Sequence, residues 1–530
     1  MPGLLHQLIE RTQADSPHST ALIHKNAEFS YADIWDQINN VASGLMTHGL
    51  AASERVAVYL PKIPETVFSL FGSSLAGGVF VPINPLLKPS QVAYILKDCN
   101  VRVLITSADR LQLLDDVLGS CHDLRTVITT GVASQTLISR QEITIRTWEQ
   151  FTTTSPHSQP FHRRIDGDMA AILYTSGSTG NPKGVVLSHH NMVAGAESVV
   201  EYLGNNSSDR LLAVLPFSFD YGLSQMTTAF SVGANVVLMD YLLPRDVIRA
   251  VDRYQITGLA AVPPLWNQLA QLDWPETAAS SLRYITNSGG AMPKSTTLKL
   301  QQSLPDTEIY LMYGLTEAFR STYLPPDQVA IRPESMGTAI PNAEILVVRE
   351  DGSECAPGEP GELVHRGALV AMGYWNDPEK TAERFKPCPG QLSEIPLTEI
   401  AVWSGDQVKR DEDGYLYFIS RKDEMIKTSG YRVSPTEVEE VIYSSKQVNE
   451  VAAIGLTHPS LGQAILLVVA GEDSIDREAI LKYCQKELPN FMIPQAIEIK
   501  PVLPRNQNGK IDRKTLALEY KDRFLEDTAS

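Results

Sequence analysis

Short runs of apolar and β-branched residues alternate, through the first half of the chain, with stretches whose apolar positions recur at three- and four-residue spacing. Residues 56–60, 80–83 and 103–106 have the first texture, and 64–76 and 90–97 the second. Such alternation predicts strand–helix–strand units and a parallel sheet covered by helices. The pattern resumes with strands at 170–174, 211–215, 234–239, 258–262 and 284–286, several of them ending in Gly, Ser or Pro. Ligand sites in such sheets sit at the carboxyl ends of the strands. From about residue 333 the texture changes to short strands, such as 344–348 and 362–366, separated by Gly and Pro turns. That change predicts a small β-barrel or antiparallel subdomain. Beyond Lys422 a helix at 435–444, strands at 451–456 and 465–470, a helix at 476–488 and a strand at 496–502 predict a compact α+β unit. The expected class is therefore α/β: a large N-terminal domain over 1–422, built of α/β/α subdomains plus a small β-barrel, and a small α+β domain over 423–530.

A length of 530 residues allows two to four folding units at roughly 150 residues each. With 45 basic and 62 acidic side chains the net charge is −17, which repels nucleic acid and anionic membrane surfaces at long range. The first fifteen residues, with Leu4, Leu5, Leu8 and Ile9 on one face, read as a docked helix and lack the basic start and unbroken apolar core of a signal peptide. The most apolar window, 69–83, is interrupted by glycines and Pro82 and is too short to span a bilayer. A soluble, cytoplasmic protein is expected, with no nucleic-acid or membrane partner. Cys99, Cys121, Cys355, Cys388 and Cys484 are scattered and form no Cys-x-x-Cys pair, as expected of buried thiols rather than a zinc site. The Thr/Ser-rich stretch 152–158 reads as a surface loop.

The segment richest in chemistry follows an apolar strand: Tyr174, Thr175, Ser176, Gly177, Ser178, Thr179, Gly180, Asn181, Pro182, Lys183, Gly184. Glycines let backbone N–H groups approach anionic oxygens, hydroxyls add donors and a lysine adds a mobile positive charge, a combination suited to polyphosphate. A P-loop needs Gly-Lys-Ser/Thr. Here Pro182 precedes the lysine and Gly184 follows it, so that reading fails.

At this segment the sequence closely resembles the adenylate-forming superfamily, which includes acyl-CoA synthetases, luciferases and the adenylation domains of nonribosomal peptide synthetases. The resemblance continues over nearly the whole chain, at 313–317 (Tyr313, Gly314, Leu315, Thr316, Glu317), 403–406 (ending in Asp406), 420–423 (with Arg421 and Asp423), 430–432 (with Gly430) and 508–513 (with Lys510). It implies ATP and Mg²⁺ as cofactors. Thr175, Ser176, Gly177, Ser178, Thr179, Gly180 and Lys183 are implied to cradle the phosphates, Ser288, Gly289 and Gly290 to hold adenine against Tyr313 and Gly314, and Asp406 to accept the ribose hydroxyls, with Arg421 beside it. Glu317 is implied as the Mg²⁺ ligand and Thr316 as a phosphate donor; a hard carboxylate oxygen suits that metal. Lys510 resembles the lysine that reaches the carboxylate and α-phosphate during adenylation, a compact cation suited to charge spreading over phosphorus. Asp423 falls at the family's hinge and Gly430 at its thiol tunnel, so the small domain is implied to rotate between two half-reactions. Each residue also has a plainer reading: an exposed acid or lysine, an Asx turn at Asp406, a tight turn at 288–290.

The acid is indicated by Phe219 and Asp220, placed as in peptide-synthetase domains where the aspartate pairs with an amino acid's ammonium. A buried carboxylate facing a fatty chain would be left unpaired, so the expected substrate is a small amino acid; the alternative at this position is a helix cap. The resemblance gives Asp220, Tyr221, Ser224, Ala261, Ile285, Asn287, Met312, Arg320 and Ser321 as pocket walls. Tyr221 and Met312 fill space, and stand-alone proline-loading ligases are similar in length, so L-proline is the specific expectation. Arg320 fits it badly unless it points outward, since a guanidinium prefers a second carboxylate. No phosphopantetheine attachment motif follows Lys510; the expected acceptor is a separate acyl or peptidyl carrier protein, or coenzyme A, which presents the same thiol arm. An AMP-forming acyl-CoA ligase for a fatty or aryl acid, and a non-catalytic nucleotide-binding sensor, are the alternatives.

Overall fold

The computed structural model describes residues 3–131, 143–153, 160–175, 182–421, 424–428, 431–458, 461–471, 475–506 and 509–525. Three sheets organise them. A seven-stranded sheet runs in the order Thr144–Thr147, Thr126–Thr130, Val101–Ser107, Arg55–Tyr59, Val79–Pro82, Met169–Thr175, Lys183–Ser188. All neighbours are parallel except the last pair, an antiparallel hairpin whose register sets Lys183 opposite Thr175. Its inner strands are buried on both faces, as the continuous apolar runs require, the edge strand Thr144–Thr147 being partly exposed, and helices such as Pro64–Ala76 cover it.

A fourteen-stranded sheet has a parallel centre formed by Glu308–Tyr313, Tyr284–Asn287, Gly258–Ala261, Arg210–Ala213, Asn235–Leu238 and Thr20–His24. Its helices include His189–Leu203, Asp220–Val232 and Pro244–Tyr254. The hairpin Thr20–His24/Ala27–Ser30 closes one edge; it is not among the strands expected above, although an apolar run ahead of Lys25 and Asn26 is a hairpin signal. At the other edge the sheet continues antiparallel through Thr322–Leu324, Ser335–Ala339, Leu416–Arg421, Ile400–Arg410, Gly361–Gly367 and Ala343–Val348. This is the region expected to be a small β-barrel or antiparallel subdomain. Of the two readings the antiparallel one describes it: among the described residues Ala343–Val348 ends the hydrogen-bonded strand order and pairs with Gly361–Gly367, so no ladder closes a barrel, while Met336, Ile345, Val347, Leu363, Val408 and Leu416 of these strands curl round one shared core.

The α+β unit has its own five-stranded sheet, ordered Tyr431–Val433, Ile426–Thr428, Gly462–Ala470, Glu450–His458, with Ala496–Lys500 beside Gly462–Ala470. Alternate residues feed separate cores, as period-two side chains must. Val451, Ala453, Ile465, Leu467 and Val469 pack under helices Pro435–Ser444 and Arg477–Glu487, while Ala452, Ile454, Leu466 and Val468 meet Leu503 and Leu516. Among the described residues no helix is long and apolar enough to cross a membrane, the five cysteines are buried and in no disulfide, and no cluster of three or more His, Cys, Asp or Glu is poised around a metal position.

Candidate functional site

The carboxyl ends of the parallel strands 258–261, 284–287 and 308–313 open on one cleft, and the residues following them line it. Lys510 enters this cleft from the α+β unit. Its ammonium lies 5.6 Å from the centre of the Phe219 ring, and a β-carbon on Gly289 would come within 3.0 Å of its Cε. Gly289 has φ +85°, which glycine alone adopts freely. The lysine is presented by a turn in which Asn506 N–H donates to the Lys510 carbonyl at 2.8 Å and the Asn506 side chain accepts from Lys510 N–H at 3.1 Å. Burial lowers the Lys510 pKa and Asp220 draws it back up.

A second group gathers at the start of the antiparallel region. Strand pairing sets Arg421 opposite Asp406, and Arg421 Nε lies 3.1 Å from Asp406 Oδ1. The Tyr313 hydroxyl donates to Asp406 Oδ2. Burial and then the neighbouring carboxylate hold that phenol well above its ordinary pKa, so it stays a donor.

The third group surrounds Glu317. Residues 372–375 run beside the Lys183–Ser188 strand through Met372 N–H to Val186 O and Trp375 N–H to Gly184 O. This places Tyr374 between two predicted residues: its hydroxyl donates to Glu317 Oε1 at 2.5 Å, and Lys183 Nζ sits 5.0 Å from its ring centre. The Lys183 pKa is lowered by burial and by Lys380 and Arg384. Tyr374, Lys380 and Arg384 were not found by sequence reasoning. Lys380 and Arg384 sit on the short helix Pro378–Arg384, whose local sequence resembles any charged surface turn.

The fourth group is the pocket expected to hold the acid. Helix Asp220–Val232 starts at Asp220, so this carboxylate lies in the first turn rather than capping from outside, where the helix dipole favours it. Arg320 Nη1 lies 3.2 Å from Asp220 Oδ2, and the Thr316 hydroxyl donates to Oδ1 at 3.4 Å. The guanidinium is inward, 4.8 Å from the Tyr221 ring centre, and 2 % exposed. Burial pushes the Asp220 carboxyl up, and Arg320 and then Lys510 pull it down again. Arg320, given by the resemblance as a pocket wall, does face inward, the arrangement that fits proline badly. The premise that Asp220 lacks a cation in the absence of substrate is corrected. The Tyr221 hydroxyl meets Thr286 Oγ1 at 2.5 Å, the Tyr202 hydroxyl meets Met312 Sδ at 3.1 Å, and Ser224, Ala261, Ile285 and Asn287 are buried. Ser321 is buried too, but its hydroxyl is turned to His365 Nδ1 at 2.9 Å.

The model of the AMP-binding enzyme family matches residues 9–375, and that of the AMP-binding enzyme C-terminal domain matches 437–510. The chain belongs to the AMP-binding enzyme family. Tyrocidine synthase 3 of Brevibacillus parabrevis is 28% identical over 519 residues, which are 97% of this chain and 8% of that protein. The chain thus spans only a small part of the synthase's length. The long-chain-fatty-acid–CoA ligase of Bacillus subtilis (strain 168) is 27% identical over 547 residues, covering 97% of this chain and 94% of the ligase. The crystal structure of the anthranilate CoA ligase AuaEII in complex with anthranoyl-AMP superposes with a TM-score of 0.86 at 26% identity, covering 100% of this chain and 99% of that one. In this AMP-binding enzyme the predicted residues Thr175, Lys183, Ser288, Gly289, Gly290, Tyr313, Gly314, Thr316, Glu317, Asp406, Arg421 and Lys510 fall on the four groups above or on the loops between them. Ser176, Gly177, Ser178, Thr179, Gly180, Asp423 and Gly430 lie outside the described residues.

Proposed function

We propose that this chain is an AMP-forming acid–thiol ligase: it activates a short carboxylic acid as its acyl-AMP with release of pyrophosphate, then passes the acyl group to a pantetheine thiol. The observation that carries the proposal is Lys510, delivered by a separate α+β unit into the cleft that holds Asp220, Phe219 and Gly289. A buried ammonium with no folding benefit belongs where negative charge gathers. The carboxylate oxygen of the acid attacks the α-phosphorus of ATP, the bond to the bridging oxygen breaks, and pyrophosphate leaves. Lys510 stands to neutralise the charge developing on the phosphoryl oxygens. The thiol sulfur then attacks the acyl carbon, its proton goes to solvent, and AMP leaves.

ATP and Mg²⁺ are the cofactors of this reading. Asp406, oriented by Tyr313 and Arg421, offers acceptors to the ribose, and Lys183, Lys380 and Arg384 concentrate positive charge for the distal phosphates. Glu317 supplies one carboxylate for Mg²⁺, which suits an ion usually held by one or two carboxylates with phosphates and waters completing its shell. Bound there, the ion screens phosphate charge. Residues 1–422 act as the core and 423–530 as a lid that turns about Asp423 and brings Gly430 to the thiol.

The small pocket supports a short acid, whereas the particular case for L-proline weakens because Arg320 already answers Asp220. A second reading, an amino acid loaded on a separate carrier protein, is favoured by the long 3.4 Å contact at Asp220 Oδ1, which leaves lone pairs for an ammonium. The test is ATP–pyrophosphate exchange over amino, short, fatty and aryl acids, followed by thioester formation with coenzyme A or a phosphopantetheinylated carrier protein. Exchange with at least one acid supports the ligase. Nucleotide binding without pyrophosphate release for any acid replaces it with the sensor.

A further inference from the structure

We propose that the acid activated here carries a second carboxylate, seated on the Nε–H and Nη2–H edge of Arg320. This rests on the ligase reading. The guanidinium presents two forks. Nη1 is committed to Asp220 Oδ2 at 3.2 Å and to the Phe319 carbonyl at 3.1 Å. Nε and Nη2, which form the side-on fork, have no hydrogen-bond partner among the described residues, although the side chain is buried. Buried donors without acceptors are costly, and a planar pair of parallel N–H groups matches the two oxygens of a carboxylate. One nitrogen thus neutralises the pocket's own acid, and the side-on fork is left for a ligand.

The backbone is shaped to aim this side chain. Phe319 has φ +54° and ψ −41°, and Arg320 N–H donates back to Ala318 O at 2.6 Å. That is a γ-turn of the strained, positive-φ kind, which a bulky aromatic adopts only when its surroundings enforce it. Gly195 makes room for the ring in this pose: a β-carbon there would lie 2.5 Å from Phe319 Cδ1. Strain of this kind gathers at sites where a side chain must be held in one place.

Arg320 also lines a small cavity of about 10 Å³ with Tyr202, Tyr221, Thr228 and Met312, the volume of about one water, so a second carboxylate takes its seat there only as these side chains shift. Arg320 and Lys510 both act on Asp220, which keeps the two cations close together. The ligand chemistry is therefore a short dicarboxylic acid, with one carboxylate facing Lys510 and the other on Arg320.

The experiment compares matched pairs in ATP–pyrophosphate exchange with the full chain: propionate against malonate, butanoate against succinate, and 2-aminobutanoate against aspartate. We expect the dicarboxylic member of at least one pair to be favoured in kcat/KM on the order of a hundredfold, as when a site built to bond a group meets an analogue lacking it. The double variant Asp220→Asn with Arg320→Leu should bring the kcat/KM ratio within each favoured pair close to one; only the ratio is read, because Asp220 also faces Lys510 and its loss shifts both members together. Arg320→Lys, which keeps the charge and loses the fork, should fall between. Equal or better exchange with every monocarboxylic partner in the natural chain overturns the inference without any variant. So does a double variant that keeps the natural ratio. Absence of exchange with every acid, together with no hydroxamate on trapping with hydroxylamine, is a different result, and it removes the ligase reading itself.

Discussion

Replacing Lys510 with alanine isolates the first half-reaction. In the present pose the neighbours of the ammonium compensate only partly for its burial: an aromatic face lies at 5.6 Å, the Gly289 backbone is against its stem, and the charges of Asp220, then Asp406 and Glu424, opposed by Arg421, leave its pKa below the ordinary value. The side chain therefore does little for folding, and Lys510→Ala should leave the thermal midpoint unchanged or slightly raised. For adenylation the expected loss is that of one preorganised charge in a cleft, about 2.7–4 kcal/mol, or roughly a hundredfold to a thousandfold in rate. Arginine should not rescue it, because the space between Gly289 and Phe219 admits a thin methylene stem. The assay is ATP–pyrophosphate exchange at saturating acid, run beside thioester formation from supplied acyl-AMP. The second activity should stay within a few-fold of the natural enzyme if, as proposed, the thiol step uses the other lid pose. Exchange by the variant within threefold of the natural rate would refute the placement of Lys510 at the reacting phosphate. Equal loss of both activities in a folded variant would refute the assignment of one lid pose to each step.

Asp423→Pro should show the reverse pattern, with exchange retained and thioester formation reduced, because a fixed φ and a lost N–H remove the freedom a hinge requires; parallel assays of the two half-reactions decide it. Gly289→Ala should lower exchange about tenfold, since φ +85° is strained for alanine and its β-carbon would sit 3.0 Å from Lys510 Cε, a penalty on the order of 1–2 kcal/mol; unchanged exchange would show that the lysine reaches its place by another path. Acid should destabilise the fold early. His6 and His365 are lowered to about 3 and His189 to about 4 by burial, so the stability they contribute as neutral groups is full above 6.5 and lost as pH falls from there toward those values. At pH 5 each contributes a loss of up to about 2 kcal/mol, and urea midpoints that stay level between pH 7 and 5 would contradict it.

Where structure is local, the sequence was readable. Helix Pro64–Ala76 begins with proline at its first position and ends at Gly77 with φ +81°, and the periodicity placed both ends correctly. Helix Pro435–Ser444 likewise starts at a proline, after a Ser434 cap. Strand existence was also legible, since buried parallel strands read as apolar runs. Closure was not: whether residues 343–421 form a barrel depends on which distant strand pairs with Ser335–Ala339, and that partner is Leu416–Arg421, which also pairs with Ile400–Arg410. The Thr20–His24 strand was missed for a related reason, because its parallel neighbour Asn235–Leu238 lies more than two hundred residues away.

The candidate site divides along the same line, and the division has a physical cause. Asp406, Glu317, Lys183 and Lys510 were named through the motifs that carry the family resemblance; by type alone each read as a solvated charge or a turn. What they touch depended on the fold: Tyr374 reaches Glu317 because residues 372–375 run beside the Lys183–Ser188 strand, a contact between segments far apart in the chain. Arg320 is the hardest case, since the same guanidinium could face solvent or the pocket, and the choice rests on one torsion. With Phe319 at an ordinary negative φ, the backbone would not fold back from Arg320 N–H to Ala318 O. With φ +54° it does, and the side chain reaches Asp220. Local preference forbids that torsion for phenylalanine, so a reading built on preference could not foresee it. Positions where the chain holds a conformation its sequence disfavours are where folding has been subordinated to something else, and here the position beside that strain is an arginine whose Nη1 is engaged with Asp220 and whose Nε and Nη2 have no partner among the described residues.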